Sequence, residues 1–180
     1  MVFNSLGEIL AFVEKEQNGF AESSSNLSEA QETYRTASDR WSIAELVEHV
    51  GIVDDRIVQL TRKFLSENGP PSELPAFQPV SLDRFAPRWN EPFSAPERVT
   101  PKGQMPVSES LARKKAALET LLSLRPQIAA IDCSQMMWPH PIFGDMNLYE
   151  WLLVSGMHNR RHREQIESIK SSEGYPNNSE

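Results

Sequence analysis

Three of the four histidines of this 180-residue chain, His140, His158 and His162, fall in one short stretch near its end. On an α-helix, residues four apart stand one above the other, about 6 Å apart. Two imidazoles so placed reach one ion at about 2.0–2.1 Å. His158 and His162 have that spacing. A single histidine on an apolar helix face is ordinarily a core residue with a satisfied hydrogen bond. Two on one buried stripe are costly to desolvate unless they share a partner.

At about 100° per residue, Leu148, Trp151, Ser155, His158, His162, Gln165, Ile166 and Ile169 fall within one arc, so both imidazoles are expected to point inward. A third ligand must come from elsewhere, and His49, at the margin of another helix's apolar stripe, is the best candidate. Three imidazoles without thiolate or carboxylate suit Zn²⁺, Ni²⁺, Fe²⁺ or Cu²⁺ and leave at least one position for water or substrate. His140 stands between Pro139 and Pro141, outside the triad, as a loop residue that packs on the domain or lines the pocket. Glu45 lies one turn before His49, and Arg161 and Gln165 flank the pair. These three are placed to orient a ligand.

Four helices must hold these residues. Ser5-Leu-Gly-Glu8 has the capping-box pattern, followed by Leu6, Ile9, Leu10, Val13 and Phe20 at helical spacing; this first helix ends at Gly19 or runs on to about Ser23. Residues 28–34 suit one or two helical turns. Ser42 and Glu45 form a second capping box, opening a helix whose stripe of Leu46, Val50, Val53, Ile57, Leu60 and Phe64 stops at Asn68-Gly69-Pro70-Pro71. Ser108 to Leu124 restores the pattern, Arg125-Pro126 interrupts it, and a short turn follows through Ile131. Asn147 caps the last helix, with Glu150 three places on, and Gly174 and Pro176 end it beyond Lys170. Residues 172–180 are expected to fray.

Between Gly69 and Pro106 lie nine of the chain's thirteen prolines, a density that argues against helix and regular sheet. Phe77, Phe85, Trp89 and Phe93 in this stretch should nevertheless pack onto the domain. The proline-rich loop from Trp138 to Gly144 also reads as irregular, and Trp41 and Trp151 read as core anchors. The result is one all-α domain over residues 1–180, a four-helix bundle whose long crossover, about 69–106, joins helices two and three. A link that long predicts that those two helices run parallel, because the chain must return the whole helix length.

Composition narrows the function. A net charge of -7 and a pI near 5.2 give no field to attract a polyanion, so nucleic acid is not an expected partner. Arg160, Arg161 and Arg163 spread around their helix and read as a solvated or salt-bridged face. No run reaches transmembrane length, so no membrane partner is expected, and the N-terminal residues lack a secretory pattern, which makes the cytoplasm the default expectation. Cys133 is the single cysteine and reads as a small packing residue. A chain this long buries an adequate core unaided, so an ion here need not be structural.

Trp41-Ser-Ile-Ala-Glu-Leu-Val-Glu-His49-Val, then His140-Pro-Ile-Phe-Gly, then Glu150-Trp151 with His158-Asn-Arg-Arg-His162-Arg-Glu-Gln165-Ile166 together resemble the DinB/YfiT-like superfamily of metalloenzymes. Ala95-Pro-Glu-Arg-Val-Thr-Pro101 adds to the likeness, which spans essentially the whole chain. The resemblance implies a four-helix bundle, often a homodimer, with a divalent metal (Zn, Ni or Fe foremost) on His49, His158 and His162. It also implies a small-molecule substrate, and either a metal-dependent hydrolase or a transferase using a low-molecular-weight thiol such as bacillithiol or mycothiol. The rival readings are a non-catalytic metal-binding or stress-response bundle and a metal-free helical scaffold.

Overall fold

The computed structural model describes residues 1–69, 74–89 and 94–177. Four long helices form the bundle: α1 (Leu6–Ser23), α3 (Ile43–Glu67), α5 (Val107–Ser123) and α7 (Leu148–Lys170). Short elements join them: α2 (Glu29–Thr33), α4 (Ala86–Trp89), α6 (Arg125–Ala129), and 3-10 turns at Asp83–Phe85 and Glu97–Val99. At α1 the expected box forms by half, Ser5 Oγ accepting Glu8 N–H while the Glu8 carboxylate accepts Asn4 N–H in place of Ser5 N–H; at α3 and α7 it forms in full. Ser42 Oγ accepts Glu45 N–H while the Glu45 carboxylate accepts Ser42 N–H, and Asn147 and Glu150 do the same for α7. Each such cap satisfies backbone donors that helix geometry leaves orphaned, worth about 1 kcal/mol. The first helix passes Gly19 and runs to Ser23.

Side-chain pairings fix the helix directions. Gly51 faces Ser110, Asp54 pairs with Lys114 and Val58 shares a core with Ala117, so α3 and α5 are parallel, as the long connection requires. His49 meets His158 and His162 while Asp54 meets Asn159 and Ser155, so α3 and α7 are antiparallel. Phe12 meets Gly156, Glu16 meets Arg160 and Ser23 meets Lys170, so α1 and α7 run parallel.

The connection carries more regular structure than its prolines suggest. β2 (Val80–Ser81) pairs antiparallel with β1 (Val2–Phe3), and the turns at Asp83–Phe85 and Ala86–Trp89 follow. Pro87 is tolerated because it sits in the first turn, where its missing N–H has no partner to lose. Phe77, Phe85 and Trp89 pack on the core; Phe93 lies outside the described residues. The loop before α7 is a short hairpin rather than irregular chain, β3 (Trp138–His140) against β4 (Gly144–Met146). A two-stranded ribbon leaves open edges where Pro139 loses no ladder bond, and Gly144 supplies the turn's φ of 73°. Residues 172–177, expected to fray, dock on α2. Gln31 Nε2 donates to the Pro176 carbonyl at 3.0 Å and Tyr34 stacks edge-on with Tyr175.

The core has two apolar parts. One holds Ile9, Phe12, Val13, Ile57, Phe64, Leu121, Leu152 and Leu153; the other holds Phe20, Ile43, Leu46, Val50, Val107 and Ile166. Each bundle helix crosses from one part to the other through polar positions: Glu16 on α1, Asp54 on α3, Lys114 on α5, Ser155 and Asn159 on α7, all buried. The Lys114 ammonium donates to Asp54 and to Asn159 Oδ1 at 2.7 Å, and Asn159 Nδ2 donates to Asp54 at 3.0 Å. Arg160 and Arg163 close on Glu16 at 2.6 and 3.3 Å, a salt-bridged face as expected.

Two stability effects are expected from this packing. A Cβ at position 156 would stand 2.6 Å from the Phe12 ring, so Gly156→Ala should lower the denaturation midpoint by an amount equivalent to about 1–3 kcal/mol. Lys114→Met strands the Asp54 charge and should cost about 3–5 kcal/mol. Adding Asp54→Asn should recover part of that loss in the same measurement, whereas a strictly additive double variant would deny the coupling.

Candidate metal centre

The antiparallel crossing of α3 and α7 brings the three predicted histidines together. His158 Nε2 lies 3.1 Å from His49 Nε2 and 3.0 Å from His162 Nε2. These atoms form the one cluster of three or more potential ligands among the described residues. His49 and His162 are buried, and His158 is half-buried. The i, i+4 rings on α7 have centroids 4.3 Å apart.

The far sides of two rings are already committed. His49 Nδ1–H donates to the Val99 carbonyl at 2.7 Å, and His162 Nδ1–H donates to Gln165 Oε1 at 2.7 Å. In a neutral ring a proton on Nδ1 leaves a lone pair on Nε2, so both lone pairs aim at His158 Nε2. A single proton there satisfies only one of them, and on Nδ1 it satisfies neither, since His158 Nδ1 is buried without a partner. Converging lone pairs in a desolvated place are unfavourable without a cation. The residues fit a divalent ion on three Nε2 atoms.

Electrostatics keep the rings neutral. Burial depresses His162 to about 3, helped by the charges of His49 and Arg161 and opposed by the Gln165 bond. Burial also lowers His49, partly offset by the Val99 carbonyl, and takes His158 well below its ordinary value, with His162 and His49 adding to the fall. Unprotonated imidazole is the ligating form.

The triad opens on a cavity of about 1110 Å³ between α3, α7, the crossover and the β3–β4 hairpin. Trp41 and Trp151 pack against the core, as read from sequence, and also line the cavity. Trp41 lies 4.9 Å from the His49 ring, and Trp151 donates to the Trp138 carbonyl at 3.3 Å. His140 also lines the cavity and is no part of the triad; its ring packs on Phe143 and Trp151. Gln165 touches a triad member, as its position suggested. Arg161 reaches across to the Trp89 carbonyl. Glu45 holds its cap and Arg35, while His49 takes its partner from Val99.

Sequence reasoning missed Val99, whose role is a backbone carbonyl delivered by the crossover and therefore has no side-chain signal. It also missed the Asp54–Lys114–Asn159 network behind the site. A signal existed there: Asp54 and Lys114 are opposite charges set at core positions of their helices, the pattern of a buried pair.

Comparison with known proteins agrees with this geometry. The sequence model of the DinB superfamily matches residues 13–166. The chain belongs to the DinB superfamily. It is similar to the uncharacterised protein YuaE of Bacillus subtilis (strain 168), 22% identical over 144 residues that cover 80% of this chain and 86% of the relative. In fold it is similar to TT2238, a four-helix bundle protein, with a TM-score of 0.57 and 19% identity over 91% of this chain and 98% of that one. No described helix is long and apolar enough to cross a membrane.

A histidine held neutral in this DinB-superfamily fold takes up a proton more readily once unfolded, so below about pH 6.5 the unfolded chain binds more protons. For metal-free protein, the stability linked to His162 is complete above about pH 6.5. It should be lost progressively as pH falls toward about 3. Melting curves of His162→Gln should show a shallower fall over that window. A variant as acid-sensitive as the parent would refute the assignment.

Proposed function

We propose that His49, His158 and His162 hold one divalent cation at the base of the cavity and that the protein acts there on a small molecule, by metal-dependent hydrolysis or by transfer to a low-molecular-weight thiol. The single observation that carries this reading is the meeting of three Nε2 atoms, two of them 3.0 and 3.1 Å from the third, with two Nδ1 protons already engaged elsewhere. When bound, such a cation supplies Lewis acidity, which polarises a carbonyl and lowers the pKa of a water or thiol. The chain's own residues orient and enclose. The Val99 carbonyl and Gln165 amide fix ring direction, and the tryptophan walls offer flat apolar surface that displaces water from a bound molecule.

Against the reading of a closed structural site stands the cavity itself. Among the described residues the triad has no fourth protein ligand, and all three histidines line the open space. Three imidazoles suit Zn²⁺, Ni²⁺, Fe²⁺ or Cu²⁺, and the family resemblance puts the first three foremost. A homodimer remains part of the proposal on the strength of the family resemblance.

Elemental analysis and titration calorimetry test the site. About one divalent ion per chain is expected, with tight binding abolished in His158→Ala and weakened about 10–100-fold in Gln165→Leu. Full occupancy in His158→Ala would exclude this triad. Cobalt-loaded protein should gain a sulfur-to-metal charge-transfer band when a low-molecular-weight thiol is added. A spectrum unmoved by thiols would remove the thiol-transfer branch.

A further inference from the structure

The cavity inverts the sign of the protein that surrounds it. The chain carries 18 Lys and Arg against 25 Asp and Glu, yet the cavity is lined by Arg40, Arg56, Arg98 and Arg161 against the single carboxylate of Asp39 among the described residues. Arg40, Arg56 and Arg98 have no carboxylate partner among the described residues. Arg56 donates instead to the Arg98 carbonyl at 2.9 Å, which pins the 3-10 turn at Glu97–Val99 beside the site. Arg40, Arg56 and Arg98 are exposed where they line the cavity, and like charges gathered on a concave surface repel and focus their field into it.

His140 adds a directed donor. Its Nδ1 accepts the backbone N–H groups of Ile142 and Phe143 at 3.1 and 3.3 Å, so the proton of the neutral ring sits on Nε2. That atom has no protein partner among the described residues. Burial, with the charge of Arg98 beside it, lowers the ring to about 4, which keeps it a neutral N–H donor near pH 7. Tryptophans 41, 138 and 151 complete the wall.

We propose that this cavity selects a small organic anion, a carboxylate or sulfonate joined to a flat apolar body, with Arg56 and Arg98 receiving the negative group and His140 Nε2–H donating to it. The inference rests on the reading that a small molecule enters the space over the triad, and it adds the chemical class of that molecule. Guanidinium forks match carboxylate and sulfonate oxygens, and the indole faces match the apolar remainder.

The probes are 8-anilinonaphthalene-1-sulfonate and its neutral counterpart lacking the sulfonate, titrated by fluorescence into chelated and zinc-loaded protein. The sulfonate should bind about tenfold tighter than the neutral dye in both forms, the scale of two partly exposed charge contacts, and its affinity should fall with salt. In the chelated protein Arg56→Gln/Arg98→Gln should erase the preference while retaining neutral-dye binding; the zinc-free arm decides because Arg56 also holds the turn that carries Val99. Equal affinities of the two dyes for the parent protein, or a preference intact in the double variant, would overturn the proposal. A preference seen only with zinc and unaffected by the double variant would also overturn it, by placing the anion on the ion and leaving the metal reading standing. Failure of the parent to bind zinc would instead overturn the metal reading, and the chelated arm would still decide the anion. Inorganic phosphate should leave the dye in place at equal concentration; displacement would reduce the site to a plain anion hole and overturn the organic part.

Discussion

The structure turns on the cost of placing three neutral imidazoles in one desolvated corner. Each ring must give up water, and that burial is what keeps the rings neutral, while two of them are aimed by partners on their outer sides. The bundle supplies those partners from two directions. Gln165 is one turn along α7 from His162, so helix geometry alone delivers it. Val99 is fifty residues from His49 in sequence, and it arrives only because α3 and α5 run parallel and the chain must travel back along the bundle between them. The topology and the site are thus one constraint: the crossover that a parallel pair demands is also the element that turns His49 toward its neighbours.

The same crossover is anchored where the site needs rigidity. Glu48, beside His49 in sequence, accepts the backbone N–H groups of Lys102 and Gly103 at 3.1 and 2.8 Å, and Arg56 holds the Arg98 carbonyl. Three contacts from one face of α3 therefore fix residues 98–103. A proline-rich segment suits this work. It has few free backbone donors to satisfy, and its restricted φ angles reduce the entropy lost on docking. The polar layer of Asp54, Lys114 and Asn159 plays the matching part inside the bundle. Sliding α3 against α5 or α7 would separate a buried charge from its partner, so the register that brings the histidines together is also the one that satisfies this layer.

Much of the fold and the i, i+4 histidine pair was legible because both rest on local periodicity. Ser42 with Glu45 and Asn147 with Glu150 announce helix starts through side chain to backbone bonds that span three residues, and His158 with His162 announce a shared face through helix pitch. His49 was reachable because it is the one histidine on a bundle helix outside that pair. The remainder depended on contacts that no local pattern encodes. Trp41 and Trp151 are legible as core anchors, but that one side of each also faces a cavity depends on the position of the crossover. β1 and β2 are two residues each, too short to show alternation, and pair across most of the first half of the chain. The Val99 carbonyl has no residue type at all to betray it.

Charge balance carries the argument from architecture to ligand. Three imidazoles contribute no negative charge, so a divalent cation they hold keeps its full charge in a place of low dielectric. Asp54, the buried carboxylate whose charge reaches His49, is already matched by Lys114. The cavity wall adds arginines rather than acids. On the function proposed above, such a site would be completed by negative charge from solvent, as an anionic substrate or an ionised thiol entering on the open side of the triad.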